Sequence, residues 1–289
     1  MRQEIIDLYD QYAHHGLDRR AFFQKLTELT GSSAAAAAAF AAIAPSAAKA
    51  ALIAPDDPRL HTESIEITTG LGPLKGYLAR PAQAPARIGS VIVVHENRGL
   101  NAHIEDVTRR VALEGFLAFA PDFLSPAGGT PEDPDQAREM IGTLDMDGVV
   151  AQATAAIGWL ENRPDTNGRA AIMGFCWGGG VVSAVAVAAP ELDAGIAYYG
   201  RQPDPARVKD IRAALLLHYA GMDQRINEGI PAFEAALKAA GVRYALHLYE
   251  GAQHAFNNDT SAERYDKAAA DLAWSRSVAF LKEHLGASS

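Results

Sequence analysis

The chain has one cysteine in 289 residues. A single thiol closes no internal disulfide, so the fold does not depend on an oxidising compartment. It also excludes a zinc site built from several thiolates. Positive charge is short as well: 26 Lys and Arg stand against 35 Asp and Glu, a formal net charge of -9. That balance argues against a nucleic-acid partner and against binding to anionic membranes. The most apolar stretch, 33–44, is mostly alanine, too weakly apolar and too interrupted for a membrane span. Internal repeats are absent, and that alanine run is the one low-complexity segment. What remains is ordinary for a soluble globular protein, 48% hydrophobic and 21% charged. The length suits one large α/β unit with a sizeable core.

The first sixty residues read differently from the rest. Ile5, Ile6, Leu8, Tyr9 and Tyr12 fall near one face of an amphipathic helix. Arg19-Arg20, followed by Ala21-Phe22-Phe23 and the alanine run, resembles a twin-arginine export motif, but Glu28 interrupts the passage into the apolar segment. We expect residues 1–60 to be a retained helical extension and linker, with contact to a second copy of the chain, a homo-oligomer, as one role for it. Pro45 and the cluster Pro55-Asp56-Asp57-Pro58 mark the linker. The expected location is cytoplasmic, with a periplasmic one as the alternative if Arg19-Arg20 does act in export.

From 61 to 289 strand and helix patterns alternate, which predicts an α/β fold: a mostly parallel twisted sheet with helices on both faces. An opening hairpin is expected over 64–68 and 76–79. Further strands are expected at 91–95, 116–120, 170–173, 214–219 and 244–249, with another ending at Tyr198-Tyr199-Gly200. Helices are expected at about 103–114, 149–161, 231–239 and 262–285.

The cysteine sits at the end of an apolar strand, in Gly174-Phe175-Cys176-Trp177-Gly178-Gly179-Gly180. A strand that turns sharply into a helix leaves no room for side chains beside its apex, and glycines flank Cys176 where a Cβ would collide. The plain alternative is a small buried hydrophobe. The glycines favour a nucleophile at a helix N-terminus, where free N–H groups favour a thiolate. Its base should lie beyond the carboxyl ends of the strands. His254, in the loop after the last strand, meets that rule. His14, His15 and His61 precede the sheet, His284 lies in the terminal helix, and His95, His218 and His247 read as strand residues. Asp223, after the strand LLLHYA, is the expected orienting acid. Asp122 breaks the order nucleophile, acid, histidine and reads as a loop anchor. The backbone N–H groups of Asn97 and Trp177 are the expected oxyanion donors. Glu96 is near enough in sequence to the oxyanion loop to hold a proton on the sulfur by charge repulsion. His95-Glu96 lacks the second histidine of a zincin motif, so no metal and no other cofactor is expected. Phe123, Trp177, Tyr199 and Phe256 are candidates to line an apolar pocket.

Six segments together resemble the dienelactone hydrolase (carboxymethylenebutenolidase) family of the α/β-hydrolase superfamily. They are Val91 to Glu96 with Gly99-Leu100-Asn101; Ala120-Pro121-Asp122-Phe123; Gly174 to Gly179; Tyr198-Tyr199-Gly200; Gly221-Met222-Asp223; and Gly251-x-x-His254-Ala255-Phe256. The resemblance runs from about residue 65 to the C-terminus. It implies a Cys176–His254–Asp223 triad, with Glu96 switching the thiol between resting and activated states. It also implies two arginines that hold a substrate carboxylate. This chain has Leu124-Ser125-Pro126 and Asn257-Asn258-Asp259 at those places. Arg98 and Arg201 are the nearby replacements, and neutral substrates are the expectation.

The expected function is therefore thiol-dependent hydrolysis of a small ester or lactone. A redox protein would need a resolving cysteine for an internal cycle, and none exists. A catalytically idle scaffold is the remaining alternative. A dinucleotide-binding reading fails because Cys176 stands where the third-position glycine is required.

Overall fold

The computed structural model describes residues 2–14, 16–44 and 52–286. His15 and Pro45 lie outside the described residues. Three helices come first: α1 (Gln3–His14), α2 (Arg19–Thr30) and α3 (Ser33–Ile43). The sheet strands are β1 (Leu60–Thr69), β2 (Gly72–Pro81), β3 (Ile88–Val94), β4 (Leu117–Pro121), β5 (Thr166–Phe175), β6 (Ala194–Tyr198), β7 (Ala214–Ala220) and β8 (Tyr244–Tyr249). Between and after them run α4 (Ala102–Leu113), α5 (Pro134–Gly142), α6 (Met146–Glu161), α7 (Trp177–Ala188), α8 (Gln224–Asn227), α9 (Ile230–Ala240) and α10 (Lys267–Leu285).

The eight strands form one sheet in the order β1-β2-β4-β3-β5-β6-β7-β8. The β1–β2 and β2–β4 pairs are antiparallel, and every pair from β4 to β8 is parallel. This is the expected α/β-hydrolase architecture. All seven residues of β3 are buried, as a central strand covered on both faces requires. Alternation then sorts them. Ile92 and Val94 join the cluster with α6, α7 and α9, while Val91 and Val93 join the cluster with α4 and α10. Each such buried side chain contributes about 1.5–3 kcal/mol of burial. The carboxyl ends of the parallel strands β3 to β8 thus lie along one rim, which carries the candidate site.

The extension has its own apolar cluster, in which Tyr12 stacks on Phe22 at 4.5 Å beside Tyr9, Leu26 and Phe40. Asp18 and Ser32 cap α2 and α3, so the alanine run folds as helix. The unit is tied to the body. Asn97 Nδ2 donates to the Ala13 carbonyl (2.9 Å), Arg138 to the Tyr12 carbonyl (3.0 Å), and Ser261 Oγ to the Ile43 carbonyl (2.5 Å). Arg19 pairs with Asp135. Among the described residues no single helix is long and apolar enough to cross a membrane; α2 and α3 reach that length only as a pair bent by 109°.

Two helices escaped the sequence reading: the four-residue α8 directly after Asp223, and α5. Helix α5 is nine residues long, and its start carries a usable signal: Asp133 accepts from the Asp135 N–H, and Pro134 occupies the first turn.

Candidate active site

Cys176 lies between the end of β5 and the start of α7, with φ 54° and ψ -113°. Its N–H donates to the Tyr198 carbonyl at 3.0 Å, and its own carbonyl accepts from Gly180 at 3.2 Å. The flanking glycines are required by space. A Cβ on Gly174 would come 2.2 Å from the Gly178 carbonyl oxygen, and one on Gly178 would come 2.5 Å from the His95 oxygen. Among the described residues, the non-glycine residues with positive φ are Cys176, Tyr199 (39°) and Ala255 (66°). All three are at the rim: the thiol itself, a cavity wall, and the neighbour of His254. Such strain persists only where surrounding structure holds it, and it clusters at functional sites.

His254 and Asp223 meet as the sequence reading expected. His254 Nδ1 bonds to Asp223 Oδ2, and both side chains are buried. Asp223 also caps α8 through the Ile226 N–H at 3.3 Å, which fixes the carboxylate. Burial opposes a charged imidazole, yet the Asp223 carboxylate and the adjacent Cys176 raise His254 from 6.5 to about 10. Burial likewise opposes the Asp223 charge, but His254 keeps its carboxyl below the usual range. His254 Nε2 is buried and has no hydrogen-bond partner.

A cavity of about 860 Å³ opens beside the sulfur. Cys176, His254, Asn97, Trp177, Tyr199 and Arg201 all line it, which brings together both proposed oxyanion residues. Phe123 and Phe256 do not line it. Phe123 packs against His95 and Trp177, and Phe256 against Tyr198, Tyr199 and Tyr249, so both belong to the core. Arg98 pairs with Asp135 at 3.2 Å and does not line this cavity, but together with Cys176 and His254 it borders a smaller void next to it. The wall instead carries Arg138 and Arg225 with Arg201, against one acid, Glu139. Arg138 is held by the Tyr12 carbonyl, which leaves Arg201 and Arg225 facing the space. The motif positions are empty of arginine, but the cavity is not.

Glu96 Oε2 accepts from Asn258 Nδ2 at 2.7 Å. With Cys176, His254, Tyr9 and Arg264 it bounds a second void of about 20 Å³, the size of one water. Arg264 was missed in the sequence because it lies well past the motif position. It is buried, bonds Ser261 Oγ at 3.0 Å and covers the Tyr9 ring at 4.8 Å. Burial would lower its pKa, but Tyr9, Asp10, Glu96 and Cys176 raise it. Tyr199 is pushed well above 10 by burial, then by Glu96 and Cys176.

The anchoring residues behave as expected. Asp122 accepts from Leu124 and Thr130 and pins its loop. His95 Nδ1 meets the Glu96 carbonyl at 2.7 Å and stacks on Trp177. His218 is tied to Ser277 and Tyr249. His14 departs from the reading: it precedes the sheet in sequence, yet α1 brings its Nδ1 to 4.0 Å from Cys176 Sγ. Its ring lies 4.8 Å from that of His254. From the same helix, Asp10 approaches Arg264 at 3.8 Å, and burial raises its carboxyl despite His254 and Arg264.

Residues 74–285 match the dienelactone hydrolase family, and residues 1–30 match a separate family described as YqhI-like. A relative from Escherichia coli, named "Putative carboxymethylenebutenolidase", is 32% identical over 228 residues, covering 74% of this chain and 83% of its own. A crystal structure titled "Putative Dienelactone Hydrolase" from Klebsiella pneumoniae superposes with TM-score 0.71 at 28% identity, covering 78% of this chain and 99% of that one. The dienelactone hydrolase of Anabaena variabilis shares the fold, with TM-score 0.62 at 21% identity, covering 78% and 99%.

Proposed function

The chain belongs to the dienelactone hydrolase family and is a hydrolase of esters or lactones, and from that premise we propose that it acts through an acyl-enzyme on Cys176. The observation that carries the reading is the buried Asp223–His254 pair, which brings a ring nitrogen of His254 within 4.8 Å of the sulfur of the strained Cys176. The thiolate attacks the substrate carbonyl and forms a C–S bond. The Asn97 and Trp177 N–H groups stabilise the developing oxyanion. His254 then delivers the proton taken from sulfur to the departing alkoxide, and a thioester remains. In the second half a water gives its proton to His254 Nε2 and attacks the thioester. The acid leaves and the thiol regains its proton. Asp223 holds the tautomer and supports the imidazolium.

Glu96 and Arg264 set the field at the sulfur. Both side chains border the small void beside Cys176. The Asn258 bond keeps the Glu96 carboxylate in place.

The substrate class is a small ester or lactone that fits the cavity. The expectation of a neutral one rested on missing motif arginines, and Arg201 and Arg225 now weaken it. Hydrolysis of a panel of short esters and lactones, before and after alkylation of the single thiol, tests the mechanism. Loss of turnover on alkylation supports it; full turnover by alkylated protein would refute it.

A further inference from the structure

Three side chains from distant parts of the chain converge on the sulfur. One donor atom each from His14, Cys176 and His254 lies within 4.8 Å of the other two. His14 Nδ1 is 4.0 Å from Sγ. His254 has committed Nδ1 to Asp223, so Nε2 is the nitrogen it offers, and that atom is buried without a hydrogen bond.

We propose that Cys176, His254 and His14 form a binding site for one thiophilic divalent ion of the Zn²⁺ class, and that this ion shuts the enzyme off by occupying its nucleophile. The family match to residues 74–285 leaves His14 outside, so the third ligand is a contribution of the extension. The donor set suits the ion, since thiolate and imidazole are the usual zinc ligands. Bonds of about 2.3 Å to sulfur and about 2.0–2.1 Å to nitrogen at tetrahedral angles set donors about 3.3–3.6 Å apart. The His14–Cys176 gap of 4.0 Å closes to that with a shift of roughly half an ångström, and a gap at the 4.8 Å bound with a shift of about 1.2–1.5 Å. Asp223 supplies the outer contact that orients a ligating histidine and fixes its tautomer.

Local charge does not forbid the ion. The Arg264 guanidinium repels it, while the Asp10, Glu96 and Asp223 carboxylates surround the same cluster. Binding is a proton exchange: the proton of the Cys176–His254 pair leaves to solvent as the sulfur–metal bond forms. No oxidation state changes. Three protein ligands leave a fourth position for water or chloride. Only the shut-off depends on Cys176 being the nucleophile; the binding itself does not.

Cobalt is a suitable probe. The full-length protein is stripped with chelator and titrated with Co²⁺, and Zn²⁺ is then used to displace it. One equivalent should bind with thiolate-to-cobalt charge transfer and the strong visible bands of four-coordinate cobalt. Hydrolysis and Cys176 alkylation should be lost in proportion and recovered on chelation. His14→Asn and His14→Gln, checked for matching thermal unfolding, should each weaken Co²⁺ binding at least tenfold. Unchanged affinity in both variants would overturn the third ligand. Bound cobalt without the thiolate band, or faster hydrolysis with metal, would overturn the proposal as a whole. Metal-free protein that hydrolyses no ester would instead sink the proposed function and leave the binding result standing.

Discussion

Asp223→Asn isolates the charge that raises His254. The change keeps the side chain's size and removes the carboxylate from a pair in which His254 is 2% exposed and Asp223 6%. Raising an imidazole from 6.5 to about 10 corresponds to a differential interaction of roughly 5 kcal/mol. Burial acts against that shift and only Cys176 would still oppose burial, so without the carboxylate His254 should titrate well below its wild-type value. The sign for stability follows. A raised histidine pKa contributes stability in full below about 6.5, and that contribution fades as pH rises through about 10. The lowered Asp223 pKa contributes above the ordinary carboxylate range and is lost as pH falls through the folded value. The wild type should therefore exceed the variant most between about pH 4 and 6.5, by about 3–5 kcal/mol, the usual cost of breaking a buried pair. The gap should shrink toward pH 10. Urea unfolding across pH 4–10.5 measures it, and the pH profile of Cys176 alkylation reads the same imidazole without interference from another thiol. Turnover should fall by roughly two to four orders of magnitude. A variant with the wild-type pH profile in both assays would refute the pairing as the cause.

Four further outcomes are expected. Cys176→Ala should abolish hydrolysis and keep the fold, whereas Cys176→Ser should keep at most a trace, because a hydroxyl is a far weaker nucleophile at neutral pH; full activity of the alanine variant would end the covalent mechanism. Gly178→Ala should destabilise by at least about 1–3 kcal/mol, since its Cβ meets two backbone oxygens at 2.5 and 2.6 Å, and an unchanged melting temperature would show that the elbow yields. Arg201→Ala and Arg225→Ala should raise KM roughly tenfold for a carboxylated ester and leave its neutral analogue nearly unchanged; equal effects on both esters would remove the arginines from recognition. Protein from its native cell should retain the extension by mass, and a mature start beyond the alanine run would make Arg19-Arg20 an export signal.

The parts legible in sequence are those where geometry leaves little choice of residue. Gly174 and Gly178 are small because carbonyl oxygens stand where their side chains would go. That necessity marked Cys176, and strand-end topology then selected Asp223 and His254. The lining was less legible. An aromatic beside a motif packs inward or outward with the same sequence signature, and Phe123 and Phe256 went inward. Charge is only partly legible for a related reason: motif offsets and neighbouring loops point to Arg201, whereas Arg225 enters from α8 and Arg264 from the loop before α10.

The extension shows the limit most clearly. The pattern of Ile5, Leu8, Tyr9 and Tyr12 announced an amphipathic helix, and α1 forms over those residues. Amphipathicity states that one face is covered; it does not state by what. The covering surface is partly α2 and α3 and partly the rim of the sheet, fixed by the Asn97–Ala13 and Arg138–Tyr12 bonds. Both bonds join a side chain to a carbonyl of α1, and a backbone carbonyl carries no residue-specific signal. Through them α1 delivers Asp10 and His14 to a site whose other parts lie more than eighty residues away in sequence. His14 was set aside because it precedes the sheet, a rule that holds for side chains borne on the sheet's own loops. A segment docked across the strand ends falls outside that rule, and the structure shows α1 docked there.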